Sequence, residues 1–177
     1  MVTRGFAYNR VETGDEPVSL DLCKAHLEIR SGSHDVLLQT LIIAARKQVE
    51  KFLSVTLVAS TITARWEELT TVEIPYGPVK TVTSVQDKDG GDASHTIEGL
   101  VPGFPDIKAD RSAPTVIVYE AGYEQVPEDI QLAIIKLATD NFEQRTGVDV
   151  SGAAGYQLLP NNWMKTCATY RRITWAS

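Results

Sequence analysis

The stretch Asp35-Val36-Leu37-Leu38-Gln39-Thr40-Leu41-Ile42-Ile43-Ala44-Ala45-Arg46-Lys47-Gln48-Val49-Glu50-Lys51-Phe52-Leu53 decides the fold class. Leu38, Leu41, Ile42, Ala45, Val49, Phe52 and Leu53 recur at i, i+3 and i+4, the period of a helix with one apolar side. Arg46, Lys47, Glu50 and Lys51 fall on the other sides, and Ser33 or His34 precedes the first turn. The longest apolar run, Leu41 to Ala45, is far shorter than a membrane span requires.

Upstream, Ser19 is a good helix cap and Asp21 suits the first turn. Leu20, Cys23 and Leu27 keep helical spacing over about 20–28, and Ser31-Gly32-Ser33 ends it. Residues 1–16 have no periodicity and read as a loose arm. Downstream the period falls to two: Val58, Ile62, Ala64 and Trp66 alternate with Thr61, Thr63 and Arg65, which predicts a strand. Further strand candidates are Val72 to Ile74, Val79 to Val85, Thr96 to Leu100, Ile107 to Ala109 and Thr115 to Tyr119. Pro102, Pro105 and Pro114 between them predict turns and edges.

Helical spacing returns at Pro127, a residue suited to a first helical position. Ile130, Ala133, Ile134, Leu137, Ala138 and Phe142 form the apolar side, with Gly147 as the stop. Residues 147–157 are Gly- and Ala-rich and read as mobile. Pro160 opens a last helix over about 161–171, carrying Trp163, Met164, Cys167 and Tyr170, and Arg171 to Ser177 is a tail. The expected fold is α+β: a small core of four helices with a β-rich lobe inserted between the second and third. In domain terms this gives an arm over 1–16, a core over 17–146 with the insertion at about 57–120, and a linker, short helix and tail over 147–177. The helices at 35–53 and 127–146 should pack on each other, because two long apolar stripes must be buried.

The chain of 177 residues is 43% apolar, enough for a real core, and carries a net charge of -6. That balance argues against a general nucleic-acid binder. Cys23 and Cys167 form no zinc-type pair, and two free thiols fit a reducing compartment. The first ten residues lack the apolar segment of a signal peptide. These features predict a protein made in a cytoplasm, without a membrane partner.

No motif demands catalysis. Asp87, Asp89 and Glu98 have calcium-loop spacing, but Asp92 stands where such a loop needs glycine, so a solvated hairpin turn is the expected reading. His26, His34 and His95 pair with neither each other nor a cysteine in sequence, and Ser94 beside His95 is a neighbour relation rather than a triad. The expectation is no enzyme activity, no cofactor and no metal site. Charge is more informative. Between 87 and 129 ten acids stand against three bases; between 145 and 177 four bases stand against one acid. An acidic middle and a basic, aromatic end suggest two interaction surfaces. Trp163, Tyr170, Arg171, Arg172 and Trp175 are candidate partner-binding residues, being of types enriched at interfaces.

Several pieces occur together in a telling order. Pro17-Val18-Ser19-Leu20 leads to Ala25-His26-Leu27, and Leu37-Leu38 to Val49-Glu50-Lys51-Phe52. Tyr76-Gly77-Pro78-Val79-Lys80-Thr81-Val82-Thr83-Ser84-Val85 carries a Pro-Val-x-x-Val signature. Ala121-Gly122-Tyr123, Val126-Pro127-Glu128-Asp129-Ile130, Asn141-Phe142-Glu143-Gln144-Arg145, Leu159-Pro160 and Tyr170-Arg171-Arg172 follow. In this order the chain, from about Glu16 to Ile173, resembles the head–tail connector family of tailed bacteriophages, also called neck adaptor or head-completion proteins. The Gly/Ala-rich stretch at 151–155 and Asn161-Asn162 depart from its pattern.

The resemblance implies a structural virion protein at the neck, made and assembled in the bacterial host cytoplasm. It implies a closed ring of copies, usually a dodecamer, bound to the portal protein on one side and to a downstream neck or tail protein on the other. Genome DNA would pass through the lumen without sequence-specific binding. The C-terminal segment, Trp163 to Trp175, would face the portal. Two alternatives stand beside this reading. One is a tail-completion or terminator ring protein, which is usually sheet-dominated; the other is a small ligand-binding module or enzyme.

Overall fold

Capping and periodicity set the first elements. The Ser19 side chain accepts a hydrogen bond from the Leu22 backbone N–H at 3.2 Å and starts α1, Leu20–His26. A computed structural model describes residues 6–99, 103–143 and 163–172. Its elements run β1 Phe6–Glu12, α1, α2 Asp35–Leu53, β2 Ser60–Glu73, β3 Val79–Asp87, β4 His95–Glu98, β5 Asp106–Ala121, α3 Glu128–Glu143 and α4 Trp163–Cys167, with a 3-10 turn at Ala168–Tyr170. The fold is therefore a mixed α+β one. It divides into a helical unit, whose described residues are 16–53, 125–143 and 163–172, and a strand unit, whose described residues are 6–15, 54–99 and 103–124.

In the helical unit α2 packs on α3. Leu38, Ile42, Ala45, Val49 and Leu53 are buried on one side, with Ile130, Ala133, Ile134, Leu137, Ala138 and Phe142 buried on the other. The predicted pairing of the two long helices is thus present. Leu41, placed in the core from its spacing, is only half-buried, and Leu38 and Ile42 carry that part of the contact. Arg46, placed on the polar side, is fully buried. Its Nε donates to both Glu16 carboxylate oxygens, at 3.1 and 2.9 Å, one terminal nitrogen reaches Glu16 Oε1 at 2.9 Å, and the other reaches Glu50 Oε2 at 3.0 Å. The long aliphatic stem lets arginine follow the apolar side while its head finds two carboxylates.

The strand unit is one antiparallel sheet in the order β1-β2-β5-β3, with β4 also on β5. Its core face is the alternation expected from sequence: Ile62, Ala64 and Trp66 are buried with Ile117 and Tyr119, while Thr63 and Arg65 are exposed. Three differences from the sequence reading concern continuity. Residues 1–16 were expected to form a loose arm, but Phe6–Glu12 is a strand whose partner, 60–66, lies too far along the chain for local patterning to show it. The two segments on either side of 67–71 are one strand, β2, with register shifts between Trp66 and Leu69 and between Leu69 and Thr71. Likewise Ile107 to Ala109 and Thr115 to Tyr119 belong to one strand, β5. Pro114 falls where the register shifts, between Ala113 and Thr115, the place a strand tolerates a residue without an N–H.

The Pro75-Tyr76-Gly77-Pro78 turn is tied into this sheet by named bonds. Tyr119 Oη donates to the Pro75 carbonyl and Thr56 Oγ1 to the Tyr76 carbonyl, both at 2.6 Å. The Val79 N–H reaches the Gly103 carbonyl at 2.6 Å. A Cβ at Gly77 would lie 2.5 Å from that same carbonyl oxygen, so the turn has no room for a side chain there.

Leu38→Ala is expected to lower unfolding free energy by about 2–5 kcal/mol, through lost transfer energy and a cavity. Arg46→Leu with Glu16 and Glu50 retained leaves buried carboxylate uncompensated and is expected to cost about 3–5 kcal/mol. Urea denaturation of the two variants measures both, and an Arg46→Leu midpoint equal to wild type would refute the role given to the ion pairs.

Candidate interaction surface

The C-terminal element of the helical unit is built around Phe52 at the end of α2. The Trp163 ring meets Phe52 edge to face, centroids 5.3 Å apart, and Trp163 is buried. The Arg171 guanidinium lies over the same ring, 5.1 Å from its centroid. The Arg172 N–H donates to the Leu53 carbonyl at 2.9 Å, which supplies an acceptor's partner at the helix C-terminus. From α3, Lys136 Nζ donates to Thr166 Oγ1 at 3.2 Å. Cys167 is buried and its Sγ bonds the Trp163 carbonyl at 3.3 Å. Burial pushes this thiol up, an effect its own backbone hydrogen bond partly offsets, and burial does the same to Cys23.

The sequence grouped five residues here, and those of them that are described differ in burial. Trp163 is spent internally as an anchor for α4, so it presents no face to a partner. Arg171 is exposed, Tyr170 and Arg172 are half-buried, and Met164 and Lys165 add an exposed apolar and basic pair. Trp175, Gly147, Leu159, Pro160 and the 147–157 stretch lie outside the described residues. Phe52 was read only as a stripe residue; its place as the platform for Trp163 and Arg171 needs contacts between distant parts of the chain.

The strand unit carries the acidic counterpart. Glu73 and Glu98 each pair with Asp106 in register, so three carboxylates form one row across β2, β5 and β4. Like charges directly opposite each other oppose pairing, and this row marks the strand ends. The Asp87 carboxylate accepts the N–H groups of Asp89 and Gly91, each at 2.9 Å. It shapes the hairpin turn in the way a turn aspartate does. Among the described residues no three His, Cys, Asp or Glu side chains converge on a point where a metal ion would sit. Among the same residues no helix is long and apolar enough to cross a membrane. The histidines are dispersed. His95 Nδ1 contacts the Ala93 carbonyl at 2.8 Å, and His34 meets the Phe142 ring edge-on. Asp140 is shifted upward by burial and by Glu143, with His26 and Lys136 pulling the other way.

A third surface lies on β1, where Phe6 and Tyr8 are exposed. Phe6 packs on Trp66 at 5.1 Å and Tyr8 on Tyr76 at 4.5 Å between ring centroids.

Residues 17–86 match the family described as Phage gp6-like head-tail connector protein. The resemblance read from the sequence is borne out. The matched segment spans α1, α2, β2 and all of β3 but its last residue. Solved structures extend the likeness over nearly the whole chain. A chain from the neck of an empty gene transfer agent (GTA) particle, computed with C6 symmetry, is 21% identical with a TM-score of 0.68. A chain from the virion of a native GTA particle is 22% identical with a TM-score of 0.66. One from the neck of a native GTA particle, computed with C12 symmetry, is 21% identical with a TM-score of 0.63. Each comparison covers 94% of this chain and 96% of the other, and shows a shared fold. No curated protein matches the chain.

Tyr76 gives a titration test of the aromatic cluster. Its hydroxyl is pushed up from 10.0 to about 12, first by burial, then by its hydrogen bond to Tyr8 and by the charge Tyr8 acquires. The folded state therefore binds more protons than the unfolded one between those values. Its contribution to stability is complete below pH 10 and is lost as pH rises towards about 12. Ultraviolet titration of Tyr8→Phe is expected to show Tyr76 ionising earlier than in wild type. An unchanged curve would mean that Tyr8 exerts no such influence.

Proposed function

We propose that this protein is a structural subunit of a phage-type virion neck, joining the portal of the head to the tail as a ring of copies. The single observation that carries the reading is the match of residues 17–86 to the head–tail connector family. The likeness of fold to chains from particle necks supports it, and the symmetric averaging of those necks supports a ring. In this reading the strand unit is an insertion in the helical core between α2 and α3, to which β1 adds an edge. A ring of identical copies needs two complementary patches on each subunit. The basic Arg171–Arg172 end and the acidic row at Glu73, Asp106 and Glu98 are opposite in sign.

The portal-facing contact is assigned to Tyr170, Arg171 and Arg172, with Trp175 following them in sequence and Trp163 holding the segment on Phe52. Arginine supplies charge-assisted hydrogen bonds, and repetition around a ring raises the joint affinity. Genome DNA passes through the lumen; acidic side chains there repel phosphate, so passage leaves no tight complex. The opposite face receives a downstream neck or tail protein. The protein acts without catalysis, at the virion neck, after synthesis in the host cytoplasm.

Sedimentation with portal-bearing, tailless heads tests the assignment. Wild-type protein is expected to travel with the heads and to appear by negative-stain imaging as a ring at one vertex. The double variant Arg171→Glu, Arg172→Glu is expected to keep its circular dichroism spectrum and to remain in the supernatant. Heads that retain the double variant as fully as wild type would remove these arginines from the portal contact, and heads that bind neither protein would overturn the neck reading itself.

A further inference from the structure

The outer side of α2 is apolar, although its inner side already fills the core. Val36 is 79% exposed, and Leu37 and Ile43 are each 38% exposed. Thr40 and Ala44 are exposed on the same side. The Thr40 hydroxyl donates to the Val36 carbonyl at 2.9 Å, so it is satisfied within the helix and asks nothing of a partner. Val36, Thr40, Ile43 and Lys47 follow one another at intervals of four, three and four residues, the spacing of a coiled-coil seam. Leu38, Ile42, Ala45 and Val49, on the other side, are buried. One helix thus carries two apolar stripes, and only the inner one is covered.

Charge indicates what fits the outer stripe. The seam ends in cations: Lys47 and Lys51 are exposed, and neither makes an ion pair among the described residues. It begins beside a carboxylate. Asp35 precedes Val36, and Lys24 meets its Oδ1 at 2.7 Å, while Oδ2 accepts no hydrogen bond from the described residues. A second copy of α2 running antiparallel matches both ends. Centred between Thr40 and Ile43, it sets Thr40 of each copy against Ile43 of the other. The aliphatic stem of each Lys47 then covers Val36 of the other copy, and its ammonium stands at Asp35. A parallel copy would bring Lys47 against Lys47 and Lys51 against Lys51. An antiparallel copy moved one heptad towards the C-terminus sets Thr40 against the buried Glu50 and carries Val36 past the end of α2. The opposite move carries Ile43 past its start.

We propose that the outer stripe of α2 is a self-association face: two copies of this chain lie antiparallel along Val36–Lys47, with Lys47 of each at Asp35 of the other, and form a two-fold dimer of the free subunit. A two-fold contact closes on itself, so this dimer is distinct from any ring and does not rest on the neck reading. Two heptads of seam bury less than a standard interface, so the dimer is weak and forms at high concentration.

Light scattering of the wild type is expected to rise with concentration from one 19.4 kDa chain towards two. Ile43→Glu is expected to hold the mass at one chain, because it places two carboxylates close together across the two-fold axis. Within its own helix a glutamate four residues before Lys47 is favourable, so the variant is expected to keep its circular dichroism spectrum. Should it unfold, disulfide trapping decides alone. Cys23 and Cys167 are buried, so cysteines introduced on the outer stripe are the exposed thiols among the described residues. Positions 36 and 47 stand about 16 Å apart along the helix. Val36→Cys and Lys47→Cys are each expected to stay uncrosslinked alone and to give a covalent dimer when mixed and mildly oxidised. A chain carrying both substitutions is expected to stop at a dimer closed by two disulfides. A wild type that stays at one chain across its soluble range, or an Ile43→Glu variant that associates as wild type does, would overturn the proposal. So would Val36→Cys crosslinking to itself as readily as to Lys47→Cys. A ladder of higher oligomers from the doubly substituted chain would overturn it in favour of a head-to-tail contact, and crosslinking to a protein of the head alone in favour of a foreign helix on this face.

Discussion

Arg46 fixes the helical unit. A guanidinium with no exposure to water is tolerable only where carboxylates meet it, and Glu16 and Glu50 do so from two directions. Glu50 lies one helical turn along α2, so that pair is local. Glu16 lies thirty residues earlier, at the point where the chain enters the helical unit. The planar fork accepts a carboxylate in one orientation, so the ion pair defines where the segment before α1 must run. An apolar side chain of similar volume would be buried as readily, but would leave the position of Glu16 open.

Much of the helical unit was legible because its signals are local. Ser19 caps α1 as read, the apolar stripes of α2 and α3 become buried faces, and Pro127 immediately precedes α3. The errors fall where the partner is distant. Arg46 counted as surface because its acid at Glu16 is invisible to helical spacing, and Leu41 counted as core because spacing alone does not say how wide the buried stripe is. Pro114 suggested a turn, yet a register shift on β2 gives it a place inside β5. Phe6 to Glu12 alternates too weakly to announce a strand; only the pairing with Ser60 to Trp66 reveals one.

At the C-terminus, residues grouped by composition are also gathered by the fold, though Trp163 is buried rather than displayed. Aromatic and arginine residues cluster there, and the structure gathers Trp163, Arg171 and Arg172 at the end of α2. An indole large enough to anchor a partner is also large enough to anchor its own helix, and Trp163 does the second. Arg171 stays exposed beside it, its guanidinium over the face of Phe52. The acidic row on the sheet was legible only as net charge between 87 and 129; register brings Glu73, from outside that window, alongside Asp106 and Glu98.

Both units are assembled from pieces that are far apart in the chain, and this orders events on the ribosome. β1 emerges without a partner, which arrives only with β2 about fifty residues later. Next comes α2, whose apolar face must wait for α3, separated from it by the whole of β2 to β5. At roughly 5–20 residues per second, several seconds pass with that face uncovered. The strand block can close on itself during the interval, since β2, β3, β4 and β5 are consecutive. The helical unit closes last. A nascent chain arrested before residue 128 would thus display a finished sheet beside a naked amphipathic helix, the form that chaperones bind.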